Sequence, residues 1–267
     1  YRCTPGFPAQ PAELLMMHWA PGSSRMLEPL LAALAARGIV AVAFDLPGFG
    51  QSLKPRTFWG PAEMADNLLA AIGSLQAAPL VVHGGHLSGD VAVEMALRAP
   101  GRVQALVLDG VYACTAEETA ALLANYAGLT PRMRAGDAHE RFLWKATCAL
   151  LHEWNPRFAA TPQAMPEIYA TMADYLQMGY EPMRAWLEAE GPPPPSRILE
   201  RIALLEVPIL VLGAQEESLR PSFARALAAN RRARGHEFPG NHPVFTPARA
   251  DEFAGVVADF MRSARSR

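Results

Sequence analysis

Short, continuously apolar runs alternate with amphipathic helical stretches along most of the chain, and this order restricts the possible folds more than any other feature. Leu14–His18 is an uninterrupted apolar run, as expected of a strand buried on both faces. Ser23 or Ser24 can cap a helix that carries Met26, Leu30, Leu31 and Leu34 on one side and stops at Gly38. Ile39–Phe44 reads as the next strand, followed by the turn-rich DLPGFGQS at 45–52. Pro61 suits the first turn of a helix reaching Leu75. The pattern continues with a strand at Leu80–Val82, a helix at Ser88–Arg98 and a strand at Val103–Leu108. Beyond a long helical stretch come a strand at Ile209–Leu212, a helix at Pro221–Ala229, a short strand near Gly235–Phe238 and a last helix from Pro247 to about Met261. Buried strands separated by helices imply an α/β fold, a mostly parallel sheet with helices on both faces. Such sheets carry their chemistry in loops at the carboxyl ends of the strands.

Residues 114–199 break the alternation. They are helical in pattern, rich in Trp, Tyr and Met, and return through EGPPPPS, a stiff proline spacer. The expected organisation is therefore a core formed by 1–113 and 200–267, with a helical lid inserted at 114–199. Trp144, Trp154, Tyr169, Met172, Tyr175, Met178, Met183 and Trp186 should mostly form the lid's own core, a few of them facing a pocket below.

At 267 residues, one large domain with an insertion is the natural size class. A net charge of −2 gives no electrostatic case for nucleic acid or an anionic membrane. No apolar stretch reaches the roughly 18 residues of a membrane span, since Arg37 interrupts the best candidate, Leu30 to Phe44. Cys3, Cys114 and Cys148 are few, scattered and odd in number, which points to a reducing compartment, and the expectation of a cytoplasmic location rests on missing targeting signals alone. The chain opens on Tyr1 with no signal-like segment, and its true N-terminus stays open.

The chemistry concentrates in VVHGGHLSGDVA, residues 81–92. A strand that bends this sharply into a helix strains its central residue and leaves no room for side chains two positions to either side. With His86 at the tip those positions are Gly84 and Ser88, both small; with Ser88 at the tip they are His86 and Asp90, both too large. The steric test selects His86.

HWAPGSS after the first strand, FDLPGFGQS after the second, GGHLSGDVA, AQEESLRP after a late strand and PGNHP before the last helix together resemble the α/β-hydrolase superfamily over nearly the whole chain. The resemblance implies the α/β-hydrolase fold, with 114–199 as its cap domain. It also implies a nucleophile elbow at 84–88, where the family carries serine, cysteine or aspartate and this chain carries His86. PGNH resembles the loop of the family's catalytic histidine, which points to His242, and AQEESLRP places the acid at Glu217. Glu216 is the neighbour most easily confused with it, and Asp109 is the alternative acid, since some relatives take theirs from that strand end. His18 matches a histidine that organises the loop beside the pocket, and Trp19 stands where a glycine is usual and narrows that pocket. By the same resemblance the amides of Ala20 and Leu87 would form the oxyanion hole.

Imidazole titrates near pH 6.5 unperturbed, so His86 could act as a base without help. Two mechanisms follow. His86 and His242 could share proton transfer while water attacks, or neutral His86 could attack an acyl carbon and form an acyl-imidazole. The lability of that intermediate favours the first. The expected activity is hydrolysis of a small apolar ester, lactone or carbon–carbon bonded carbonyl compound, with no cofactor and no metal. A lyase, decarboxylase or cofactor-free oxygenase would use the same groups. A catalytically silent ligand-binding homologue and an engineered Ser→His variant are the remaining readings. His83 reads as a satisfied core histidine, His139, His152 and His236 as surface residues, and Asp45 as a turn-maker. The oligomeric state, monomer or homodimer, is left open.

Overall fold

The computed structural model describes residues 1–57, 59–120, 138–154, 158–178, 197–217, 219–240 and 247–265. Seven strands form one sheet in the order β1-β3-β2-β4-β5-β6-β7: β1 (Arg2–Cys3), β2 (Leu14–Met17), β3 (Ala41–Phe44), β4 (Leu80–Gly85), β5 (Val103–Asp109), β6 (Ile209–Ala214) and β7 (Ala233–Phe238). All neighbouring pairs are parallel except β1 with β3. This is the mostly parallel sheet the alternation implies. The edge strand β1 was not expected; at two residues it carries no hydrophobic period to read.

Among the described residues the helices are α1 (Glu28–Ala35), α2 (Pro61–Leu75), α3 (Leu87–Arg98), α4 (Ala138–Trp154), α5 (Met165–Gln177), α6 (Ile198–Ala203), α7 (Arg220–Ala228) and α8 (Pro247–Arg265). A short 3₁₀ turn, Ser24–Leu27, precedes α1, with Ser23 at its N-cap. α1 packs with α8, and α2 packs with α3, which also meets α6. Right-handed crossovers require this, because the chain steps one way across the sheet through α1 and the other way through α2 and α3. The central strands are buried throughout: Leu14, Leu15, Met16 and Met17 are wholly inaccessible, as are Val82, Leu106, Val107 and Val211.

The step from β2 to β3 leaves on one side and the return to β4 on the other, so the sheet has its topological switch point between β2 and β4. Ligands of open α/β sheets bind outside the carboxyl ends of strands at that point. The register sets Met17 beside Gly84 and Gly85 beside Asp109, so the loops after β2, β4 and β5 begin at one level.

Asp174 and Glu118, both within 114–199, are tied to residues outside that stretch. Asp174 on α5 is buried and accepts hydrogen bonds from Ser23 Oγ (2.8 Å) and Arg25 Nη2 (2.7 Å), and the same guanidinium donates to the Ala170 carbonyl at 2.5 Å. Arg225 on α7 grips Glu118 through both carboxylate oxygens and also donates to the Ala113 carbonyl. That guanidinium holds the Glu118 carboxyl down at about 2. Of the residues expected to form the lid's core, Tyr175 and Met178 are buried and Met172 is partly buried, but Tyr169 (62 % exposed) and Trp144 (38 %) face outward. Trp154, Met183 and Trp186 lie outside the described side chains.

Behind α3, Glu94 pairs with Arg98 (3.2 Å) and with Arg201 on α6, and partly exposed Asp90 sits one turn away. Burial first, and the Glu94 charge second, push the Asp90 carboxyl up to about 7, against the pull of Arg201. A carboxyl whose folded value exceeds its ordinary 3.8 takes up a proton on folding. Its contribution is complete below that ordinary value and is lost as pH rises through about 7. Thermal melts should therefore show the advantage of Asp90→Asn over the wild type growing steadily between about pH 4 and pH 8.

Candidate functional site

β4 ends in Gly84 and Gly85, and one residue later α3 begins. His86, the residue between, has φ 53° and ψ −126°, and it is the only non-glycine residue with positive φ among the described residues. A side chain in that region costs about 1–3 kcal/mol and persists only where its surroundings enforce it. Here they do. A Cβ on Gly84 would collide with the Ser88 carbonyl, so the strand and the first helical turn touch backbone to backbone. Ser88 Oγ, fully buried, accepts from the Gly85 amide at 2.8 Å and reaches the Gly85 and Met17 carbonyls at 2.8 and 3.3 Å. The His86 amide donates to the Asp109 carbonyl of β5 at 3.0 Å. Ser88 is thus a structural tie, as the steric test requires, and the side chain at the bend is the imidazole of His86.

That imidazole is only 4 % exposed. Trp19 stacks on it, with ring centres 4.8 Å apart and planes 13° from parallel, and Tyr112 meets it edge to face at 4.9 Å. The Cδ2–Nε2 edge lies against Gly110, where an added Cβ would stand 2.7 Å from both atoms. Gly110 has φ +56°, so a side chain there would be strained as well as crowded. Gly85 is required for another reason: any Cβ on it would strike the Trp19 indole.

The other expected residues take different parts. His18 is buried; its Nδ1 faces the Trp19 carbonyl at 2.9 Å while Nε2 accepts from the Leu46 amide at 3.0 Å. Accepting at Nε2 makes the ring a neutral Nδ1–H tautomer, and burial pushes its pKa down despite the Trp19 carbonyl. Asp45 accepts from the Ser24 amide (2.7 Å) and the Gln51 amide (2.8 Å). Burial pushes its carboxyl up, but these bonds outweigh it and hold the group below its ordinary range. His18 and Asp45 together fasten the loop after β2 to the loop after β3. Ala20 and Leu87 are both partly exposed beside the bend, Leu87 as the first residue of α3. Glu217 follows β6, partly exposed, with Oε1 accepting from the Ala214 amide at 3.0 Å. His242 lies outside the described residues.

His83, expected as a satisfied core histidine, and Asp109, expected as the alternative acid, are both buried, His83 within β4 and Asp109 at the end of β5, with His83 Nε2 3.7 Å from Asp109 Oδ2 and the ring edge-on to Phe253 of α8. Neither ring nitrogen of His83 makes a hydrogen bond among the described residues, so it is a core histidine without the satisfaction expected of one. His236 is half-buried against Phe238 rather than on the surface, because β7 turns that side chain inward at the sheet edge. His152 is exposed as expected. Tyr112 and Gly110 were missed by sequence reasoning; a glycine directly after the carboxyl end of a central strand was the available signal. Among the described residues no three His, Cys, Asp or Glu groups gather where they could hold a metal ion.

The bend and the switch point define a doubly wound α/β protein whose candidate site is the strand-to-helix turn at His86. Residues 5–256 match the model of the alpha/beta hydrolase family, and the chain belongs to it. Similar solved structures include an enol-lactonase from Burkholderia xenovorans LB400 (19 % identity, 98 % of this chain and 95 % of that one, TM-score 0.73). A bromoperoxidase from Bacillus anthracis (16 %, 94 % and 92 %, TM-score 0.74) and a proline iminopeptidase from Mycobacterium smegmatis (23 %, 95 % and 90 %, TM-score 0.66) share the frame as well. At these identities the likeness establishes the fold, and three different activities on one frame leave the reaction to the site. A search of curated proteins gives no match.

Replacing Gly84 by alanine should lower stability by about 3 kcal/mol or more, because strand and helix must separate to admit the methyl group. Denaturant unfolding measures this; Gly89→Ala, a control inside α3 whose added Cβ would meet nothing nearer than 3.6 Å, should be tolerated.

Proposed function

We propose that the protein is a cofactor-free hydrolase of small apolar esters or lactones in which His86 acts as general base toward water. One observation carries this reading: an imidazole, rather than the family's usual nucleophile, is forced into the strained conformation at the bend and clamped between Trp19 and Tyr112. Backbone strain of this kind is retained where it positions a working group. A clamped ring can pass a proton, which needs only an edge and a water. The lability of an acyl-imidazole favours proton transfer over attack by the ring itself.

The remaining assignments follow the family's motifs. His242, steadied by Glu217, is the second imidazole and returns the proton to the leaving group. The position of Glu217 after β6, held by the Ala214 amide, is consistent with that role. The amides of Ala20 and Leu87 take the developing oxyanion, the latter at the positive end of α3. Residues 114–199 act as the cap, and α5 bears on the loop that carries Trp19 and Ala20 through Asp174. Since imidazole itself supplies the base, the reaction calls for neither metal nor cofactor.

A second reading has one observation in its favour. The near-complete enclosure of His86 also fits a protein that holds a ligand in the crevice without turning it over.

Screening aryl and alkyl esters and lactones, with kcat/KM measured for each hit, separates the two. His86→Ala should lower kcat/KM by about 10²–10⁴, the usual contribution of a positioned base, and leave the affinity for a non-hydrolysable analogue unchanged. Should His86→Ala and His242→Ala both leave every measured reaction and the binding untouched, the ligand-binding reading replaces this one.

A further inference from the structure

We propose that Trp19 is the gate and size filter of the His86 site: its indole must rotate off the imidazole before a ligand can reach it, and a flat conjugated carbonyl compound then takes the indole's place. The consequence for turnover rests on His86 being the working base, whereas the gate itself concerns access alone.

The walls around His86 are unequal. Gly110 and the Asp109 carbonyl belong to the end of a central strand and cannot move without breaking the sheet. Trp19 belongs to a loop, yet that loop's backbone is held on both sides. His18 is bonded to the Leu46 amide, the Gly22 amide closes a turn onto the Trp19 carbonyl at 2.7 Å, and the Ser24 amide is bonded to Asp45. Ser23 and Arg25 then tie the same loop to Asp174 of the cap helix. With the backbone fastened, rotation of the side chain is the motion that lifts the indole off the imidazole face. Gly85 supports this, because only the absence of a Cβ there gives the indole its resting place.

The space released has the shape of what leaves it: a planar slot against the face of the imidazole. A flat aryl or enol ester or lactone can stack there as the indole does, whereas a branched acyl group such as pivaloyl is too thick. Stacked aromatic pairs contribute about 0.5–1.5 kcal/mol beyond area burial, so opening carries a cost that a flat ligand recovers and a branched one does not.

Diethyl pyrocarbonate tests the gate without any substrate. A neutral imidazole nitrogen attacks its carbonyl, an ethoxycarbonyl–nitrogen bond forms, and the leaving ethyl carbonate breaks down to ethanol and carbon dioxide. Peptide mass spectrometry at about pH 8, where ordinary imidazoles are neutral, gives a rate for each histidine. A minor open state populated at roughly 0.1–10 % predicts that wild-type His86 reacts at least about tenfold more slowly than exposed His152. In Trp19→Ala the His86 rate should rise to within about threefold of His152, with buried His18 and His83 still protected. Fast modification of His86 in the wild type overturns the proposal, and so does a protected His86 in Trp19→Ala. If Trp19→Ala exposes His18 as well, the fold has opened and Trp19→Leu decides instead: faster labelling of His86 alone supports the gate, unchanged labelling overturns it. For turnover, Trp19→Ala should raise kcat/KM for aryl pivalates relative to aryl acetates by about tenfold, the ratio equivalent to 1.4 kcal/mol. A gate confirmed by labelling together with no hydrolysis of any ester would leave the gate standing and remove the hydrolase reading.

Discussion

The contact between the α-carbon of Gly84 and the carbonyl of Ser88 is the constraint from which the site follows. It brings β4 and α3 so close that a single residue must reverse the chain, and that residue takes φ 53°, ψ −126°. The cost of about 1–3 kcal/mol is offset by the Ser88 hydroxyl, which bridges Gly85 and Met17, and by the bond from the His86 amide to β5. Both partners sit on strands buried on either face, so the bend cannot relax without disturbing the core. The imidazole is thereby fixed at the switch point between β2 and β4.

Two departures from the family's pattern belong together. In the proposed assignment, a histidine stands where the family places its nucleophile and a tryptophan where the neighbouring loop usually has glycine. Their rings lie 4.8 Å apart and nearly parallel, over the space that Gly85 leaves free. A serine at the bend would fill too little of that space to support the indole, and a glycine at 19 would leave the imidazole with an open face. The pair changes the proposed chemistry as well as the packing. A serine needs a second group to activate it, while a clamped imidazole can already accept a proton. Helix α5 bears on the same loop, because Asp174 holds Ser23 and Arg25 a few residues beyond Trp19.

Much of this was legible in the sequence, and the physical reasons differ by element. The bend was readable because its requirement is negative: small residues two positions either side of the tip, satisfied by Gly84 and Ser88 around His86. The central strands were readable as continuous apolar runs, but β4 extends through His83 and Gly85, since glycines that read as a turn serve here as close-contact strand residues. The structural roles of His18 and Asp45 followed from their motifs. Tyr112 and the bond between Asp174 and Arg25 were not readable, because each contact joins segments far apart in the chain and leaves no local period. Tyr169 and Trp144 were assigned to the lid's interior on hydrophobicity alone, and a helix face cannot be oriented without its neighbours. His242 and Glu217 rest on family motifs, of which only Glu217 lies among the described residues.

The account turns on whether the imidazole at the bend is the group whose protonation governs the reaction. Nitrogen NMR of selectively labelled histidine, with the residue 86 signals identified by their loss in His86→Ala, gives its titration directly for comparison with the pH dependence of kcat/KM on the same preparation. The account predicts that the rising limb of kcat/KM and the deprotonation of residue 86 share one apparent pKa. A rising limb at a pH where residue 86 does not change its protonation state would contradict it.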